Sequence, residues 1–204
     1  KGNQMIRLLG RKTSGNVQKV MWLLEELGLE YSREDYGRQF KNTSDQDYLQ
    51  MNPTGKVPTV IDGDIVLRES NTILRYLAGK VESELLPSDV LTRAQSEIWM
   101  DWLLASLNAP YLDLFKESKK DEEDRSPQLP QMASALAGHL EILDSYLQNN
   151  EWVGGDQFTV ADIALGPICH RCLNFPVDLP SFGQIDRWHR VISQRPAFQK
   201  TVLG

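Results

Sequence analysis

The stretch IRLLGRKTSGNVQKVMWLLEELGLEYSREDY, residues 6–36, decides the architecture of the chain. Ile6 to Leu9 is a short apolar run stopped by Gly10, and Arg11, Lys12, Thr13, Ser14 and Gly15 follow as a polar loop. That is the pattern of a strand and a turn. From Asn16 the apolar residues Val17, Val20, Met21, Leu24 and Leu27 recur every three or four positions until Gly28. The spacing predicts an amphipathic helix with a glycine stop. Glu30 to Tyr36 supplies a second strand. A strand, a helix and another strand in that order form the parallel crossover unit, so the chain opens as α/β.

Working outward, a short helix is expected near Asp47 to Met51, and Asn52-Pro-Thr-Gly-Lys-Val-Pro58 leads into Thr59, Val60 and Ile61. Asp62-Gly63 turns the chain and Ile65 to Leu67 returns, which predicts an antiparallel hairpin over residues 57–68. Ser70 reads as the N-cap of a helix whose Ile73, Leu74 and Leu77 share one apolar face. The order β-α-β-α-β-β-α closes near Lys80. Periodicity lapses from Val81 to Pro87, the expected linker, and the remainder reads as helical. Helices are predicted at Leu91 to Phe115, Leu129 to Leu147, Val160 to Asn174 and Phe182 to Ser193, with a short one at the end. The expected units are therefore residues 5–80, α/β, and residues 89–204, all helical. Lys1 to Gln4 precede Met5 without periodicity and read as an expression remnant, while the charge run from Lys116 to Arg125 reads as a solvated loop.

Composition narrows the function. With 41% hydrophobic and 25% charged residues among 204, the chain is a folding sequence rather than a disordered one. A net charge of -6 repels phosphate backbones and disfavours nucleic acid as a partner. No apolar run approaches the ~18 residues of a membrane span and no apolar signal core opens the chain, so a cytoplasmic location is the default expectation. Only Cys169 and Cys172 are present, too few for a disulfide framework. Cys169-His-Arg-Cys172 falls in the middle of a predicted core helix; two ligands do not make a zinc site, and no metal is expected.

Three polar features are expected to converge on one edge of the sheet. Ser14 stands at the mouth of the first helix, Val57-Pro58 opens the hairpin, and Glu69-Ser70 closes it. The residue before a proline is extended. A cis Val57–Pro58 bond would expose the backbone of Val57 to an added peptide strand, whereas a trans bond would simply open an edge strand. A helix start such as that at Ser70 offers a hydroxyl, amides and a positive dipole end to a carboxylate, although most such serines merely cap helices. Phe158-Thr-Val-Ala-Asp162 reads as a folding device, with Thr159 as N-cap, Asp162 three residues on, and Phe158 stapling onto Ile163.

Ser14-x-x-x-x-Lys19-Val20, Asn52-Pro-x-x-Lys-Val-Pro58, Glu69-Ser70 and Phe158-Thr-Val-Ala-Asp162 together resemble a cytosolic glutathione transferase of the bacterial, theta-like, serine type. The resemblance covers nearly the whole chain and implies a thioredoxin-like N-terminal domain joined to an all-helical one. It also implies a homodimeric, cytoplasmic enzyme, active in detoxification, that stabilises the thiolate of glutathione for attack on small hydrophobic electrophiles. Alternatives on the same fold are a glutathione-dependent peroxidase or disulfide reductase, and a non-catalytic interaction module. By this resemblance Ser14 donates to the glutathione sulfur, with Asn16 and then Thr13 ranked as rivals. Val57 meets the cysteinyl amide, Glu69 and Ser70 hold the γ-glutamyl end, Lys56 lies near the glycyl carboxylate, and Lys41 adds a second cation. Tyr111 is assigned to the second substrate. No tyrosine occurs before Tyr31 and no cysteine in the N-terminal part, which disfavours the tyrosine- and cysteine-type mechanisms.

Overall fold

The computed structural model describes residues 5–204. Lys1 to Gln4, read above as an expression remnant, lie outside the described residues. The first unit runs β1 (Ile6–Leu9), α1 (Gly15–Glu26), β2 (Tyr31–Glu34), α2 (Gln46–Met51), β3 (Thr59–Asp62), β4 (Ile65–Arg68) and α3 (Ser70–Lys80). The strands form one mixed sheet in the order β2-β1-β3-β4. β1 and β2 are parallel, with Ile6 opposite Tyr31, and the other two pairs are antiparallel. The α/β reading and the thioredoxin-like arrangement hold.

Gly10, where β1 meets α1, allows a close approach. A Cβ there would stand 2.5 Å from Val17 Cγ2 and 3.2 Å from Val57 Cβ, so any side chain would drive α1 away from the sheet. Below it, Leu8, Leu9, Val17, Val20, Leu23, Leu24 and Val60 are fully buried with Ile73, Leu74 and Leu77 of α3. Asp62 at the end of β3 accepts hydrogen bonds from Tyr76 Oη (2.7 Å) and Lys80 Nζ (2.5 Å). Burial alone would raise this carboxyl, but those two hydrogen bonds hold it below its ordinary range, and Tyr76 is pushed up to about 12 by desolvation and the neighbouring carboxylate.

The second unit, Pro87–Gln194, is helical. α4 (Val90–Trp102) is capped by Asp89, which accepts from Thr92 N at 2.8 Å. It continues through a π turn (Leu103–Leu107) into α5 (Asn108–Glu117). The sequence predicts one uninterrupted helix over 91–115; the interruption follows from Pro110, which has no N–H to give the carbonyl of Ser106. α6 (Leu129–Leu147), α7 (Val160–Leu173) and α8 (Gly183–Ser193) follow the predicted helices to within a residue.

The capping device at the start of α7 is present. Thr159 Oγ1 accepts from Ala161 N at 3.2 Å, and Asp162 accepts from the backbone N–H of Thr159 at 2.9 Å and of Val153 at 2.8 Å and from Trp188 Nε1 at 2.8 Å. Burial pushes the Asp162 carboxyl up to about 6 against these donors. The ring of Phe158, expected against Ile163, stands edge-on to Trp152 at 5.3 Å.

One expected boundary moves. The second unit ends at Gln194, and Arg195–Gly204, containing α9 (Pro196–Phe198) and a final π turn, belong with the first unit. Three contacts give the physical reason. Phe198, fully buried, meets Trp22 of α1 edge-to-face at 4.8 Å. Arg195 grips Glu26 with both Nε (2.7 Å) and Nη2 (2.8 Å), and Lys200 pairs with Glu25 at 2.8 Å. The first unit therefore includes the C-terminal tail.

Candidate functional site

Ser14 is the N-cap of α1, with extended backbone (φ −83°, ψ 125°), and its side chain makes no capping hydrogen bond. Its carbonyl accepts the first helical bond from Gln18 N at 2.9 Å, and its N–H closes a tight turn onto Arg11 O at 3.1 Å. Most serines here would spend the hydroxyl on the helix's own amides. This one makes no such bond, and it is half-buried beside the buried Gly15. Thr13 sits exposed in the preceding turn.

Glu69, rather than Ser70, is the N-cap of α3. Glu69 is exposed and adopts φ 67°, the left-handed region that a non-glycine residue enters only under constraint. Ser70 is the first helical residue and is buried; its Oγ donates to Asn16 Oδ1 at 3.4 Å. That bond crosses 54 residues of sequence and ties the N-terminus of α3 to that of α1. The predicted capping role for Ser70 is thus corrected: a tertiary partner takes its hydroxyl.

The Val57–Pro58 peptide is cis, Pro58 is buried, and Val57 is half-buried. The loop ahead of it is held from inside. Tyr48 Oη donates to Lys56 O at 2.6 Å and pairs with Thr59 Oγ1 at 2.9 Å, while Asn52 Nδ2 donates to Lys56 O at 2.9 Å. Burial pushes the Tyr48 phenol up from its ordinary value. The sequence gives Asn52 a place in the Asn52-to-Pro58 motif but no bonding role, and it gives Tyr48 no signal of its own. The Lys56 side chain is exposed.

Lys41 is turned to Glu34, 3.3 Å away, and its ammonium lies 5.0 Å from the centre of the Tyr36 ring. Partial burial raises Glu34, but hydrogen bonds from Arg7 and Lys41 prevail and hold it below its usual range. Tyr111 belongs to the second unit. It is 6% exposed, in α5, with its ring 5.9 Å from both Phe115 and Phe175. It is therefore part of that unit's own aromatic packing. Cys169 and Cys172 are buried in α7 and form no disulfide, and burial raises Cys172 well above its ordinary value. Among the described residues, no group of three or more His, Cys, Asp or Glu side chains is gathered in a way that could hold a metal ion. Among them, too, no helix is long and apolar enough to cross a membrane.

The site thus brings Ser14, Asn16 and Ser70 together at two helix N-termini, with Val57 near the end of β1 through its approach to Gly10. Comparisons with known proteins identify the family and the fold. The family model for the glutathione S-transferase N-terminal domain matches residues 6–79, and that for the C-terminal domain matches residues 100–196. Glutathione S-transferase GstB of Escherichia coli is 35% identical over 205 residues, covering 98% of each chain. The disulfide-bond oxidoreductase YfcG of the same organism is 28% identical, covering 92% of this chain and 90% of its own. Among solved structures, the theta class glutathione S-transferase of Xanthomonas axonopodis pv. citri with glutathione bound superposes with a TM-score of 0.94 at 31% identity, covering 98% and 97%.

Proposed function

The chain belongs to the glutathione S-transferase family, and from that premise we propose that it holds glutathione as a thiolate at Ser14 and directs it at small hydrophobic electrophiles. The observation that carries this reading is the Ser14 side chain, uncommitted to capping at the N-terminus of α1. A cysteine thiol titrates near ~8.5, so a population that is mostly thiolate at neutral pH needs its pKa lowered by ~2 units, or ~2.7 kcal/mol. A hydrogen bond to a charged acceptor contributes roughly 1.5–3 kcal/mol, and a helix N-terminus roughly 0.3–1 more. One hydroxyl and one helix end therefore suffice.

Ser14 Oγ–H donates to the sulfur and keeps its own proton. The thiol proton leaves to solvent, the sulfur lone pair forms the new bond to the electrophilic carbon, and the leaving group departs with its bonding pair. Asn16, its carbonyl oxygen engaged by Ser70, is a second donor through Nδ2; Thr13 ranks third. Val57 pairs through its backbone with the cysteinyl unit, and Glu69 and Ser70 meet the γ-glutamyl end. Tyr111, packed against Phe115 and Phe175 in α5, is assigned to the second substrate.

A chromogenic aryl halide tests the role. Wild type turns it over with glutathione, and Ser14→Ala loses at least tenfold in kcat/KM; an equally active variant rejects Ser14. A second reading, glutathione-dependent peroxidase or disulfide reduction, draws support from the similarity to the disulfide-bond oxidoreductase. Hydroperoxide or disulfide turnover exceeding aryl halide turnover would favour it. Calorimetry without glutathione binding at millimolar concentration would instead favour a non-catalytic module. We further place the enzyme in the cytoplasm as a homodimer; the exposed apolar Val90, Leu91, Ile98 and Leu104 of α4 and the following π turn offer a surface for association, and ultracentrifugation tests it.

A further inference from the structure

The Cys169-His-Arg-Cys172 stretch near the end of α7 has no part in the thiolate chemistry, yet it supplies half of a contact between helices. His170 Nδ1 lies 3.0 Å from His189 Nε2 of α8, and Ser193 Oγ lies 3.5 Å from the same His189 nitrogen. The two ring planes are 15° apart and their centres 5.2 Å apart. Rings stacked face to face keep their atoms about 3.5 Å or more apart, so nitrogens at 3.0 Å set these two edge to edge. An ion held in line between two imidazoles would separate the nitrogens by about 4 Å, twice a metal–nitrogen bond. The gap between them fits a proton and not a metal.

Such a bond needs one N–H and one lone pair. Whichever ring donates, a neutral pair satisfies it, and so does a pair in which one ring is an imidazolium. With both rings charged, each facing nitrogen carries a hydrogen, no acceptor remains, and two positive charges oppose each other. Burial lowers both histidines; Arg171 of α7 lowers His170 further, His170 lowers His189, and Asp186 of α8 acts the other way on His189. The neighbouring elements meet the two helices elsewhere. Asp162 of α7 accepts from Trp188 Nε1, and Asp144 of α6 accepts from the N–H groups of Gln184 and Ile185. Arg187 donates to the carbonyls of Leu147 and Asn150, and α4 meets the start of α7 through Ser96 and Thr159. Those contacts hold the first half of α8, whereas His189 and Ser193 lie in its second half.

We propose that His170 and His189 form a proton-operated latch between α7 and α8, closed with at most one added proton and opened by the second, so that residues 189–194 loosen in weak acid while residues 184–188 stay docked. An unfolded chain charges both rings as pH falls through about 6.5, and the latched pair takes only one proton. The stabilising contribution of the latch is therefore present above that pH and lost below it.

Two measurements on the full chain test the latch. The sequence has three histidines, His139, His170 and His189, so each ring can be followed by proton NMR from about pH 8 to about pH 4.5. One ring of the pair takes up a proton first, and the other stays neutral until amide exchange in residues 189–194 rises at least tenfold more than in residues 184–188. A double-mutant cycle with His170→Leu and His189→Leu returns a coupling of at least threefold in the unfolding constant at about pH 7.5 and none at about pH 5. Should the variants fail to fold, the wild-type titration decides alone. Two rings that both become charged without a rise in exchange at residues 189–194, or a coupling equal at both pH values, overturn the latch.

Discussion

Phe198→Ala probes the claim that the last ten residues belong energetically to the unit that carries Ser14. Phe198 is fully buried and its ring meets Trp22 edge-to-face at 4.8 Å. Truncating a buried phenylalanine costs about 3–5 kcal/mol, of which an edge-to-face aromatic pair supplies about 0.5–1.5. Phe198 sits in a short segment near the chain end, where neighbours can partly close the cavity, so the lower part of the range, about 3 kcal/mol, applies. Urea unfolding followed by circular dichroism at one fixed protein concentration should show a lower midpoint with an unchanged slope. A double-mutant cycle with Trp22→Leu should return a coupling of about 0.5–1.5 kcal/mol. A loss below about 1 kcal/mol, or no coupling between the two rings, would refute the placement of the tail against α1.

Two further perturbations read other parts of the account. Tyr48→Phe removes the hydroxyl that holds Lys56 O and Thr59, and should cost about 1–2 kcal/mol in urea unfolding and raise KM for glutathione two- to fivefold, roughly, by loosening the loop that presents Val57; an unchanged KM contradicts the supporting role. Asp62→Asn tests the Lys80 and Tyr76 contacts through pH. The folded carboxyl lies below its ordinary value, so its contribution is present above about pH 3.9, the unfolded value, and is lost as pH falls through the folded one. The stability gap between wild type and Asp62→Asn, measured by urea midpoint, should therefore narrow between neutral pH and pH ~3; a gap independent of pH excludes the ion pair as its source.

The elements that could be read from the residues are those whose signal is local. Ile6–Leu9 and Leu129–Leu147 coincide with their predicted bounds because apolar spacing and flanking breakers determine both. What escaped depends on distant partners. Ser70 carries the residue type of a cap, yet its hydroxyl is taken by Asn16, and the left-handed conformation of Glu69 has no side-chain signature. Periodicity identifies a short terminal helix but not which unit buries Phe198. The π turn at Leu103–Leu107 is invisible to a spacing of three and four, although Pro110 marks it. Of the site, Ser14 and Val57 were legible by position next to a helix start and a proline.

The most direct test of the account is the titration of glutathione bound to wild type and to Ser14→Ala, followed by the ultraviolet absorbance of the thiolate. In wild type the thiol should ionise about 2 units below its value in free solution, and in the variant most of that shift should vanish. A bound thiol that titrates identically in both proteins would contradict the assignment of Ser14 as the group that keeps sulfur anionic.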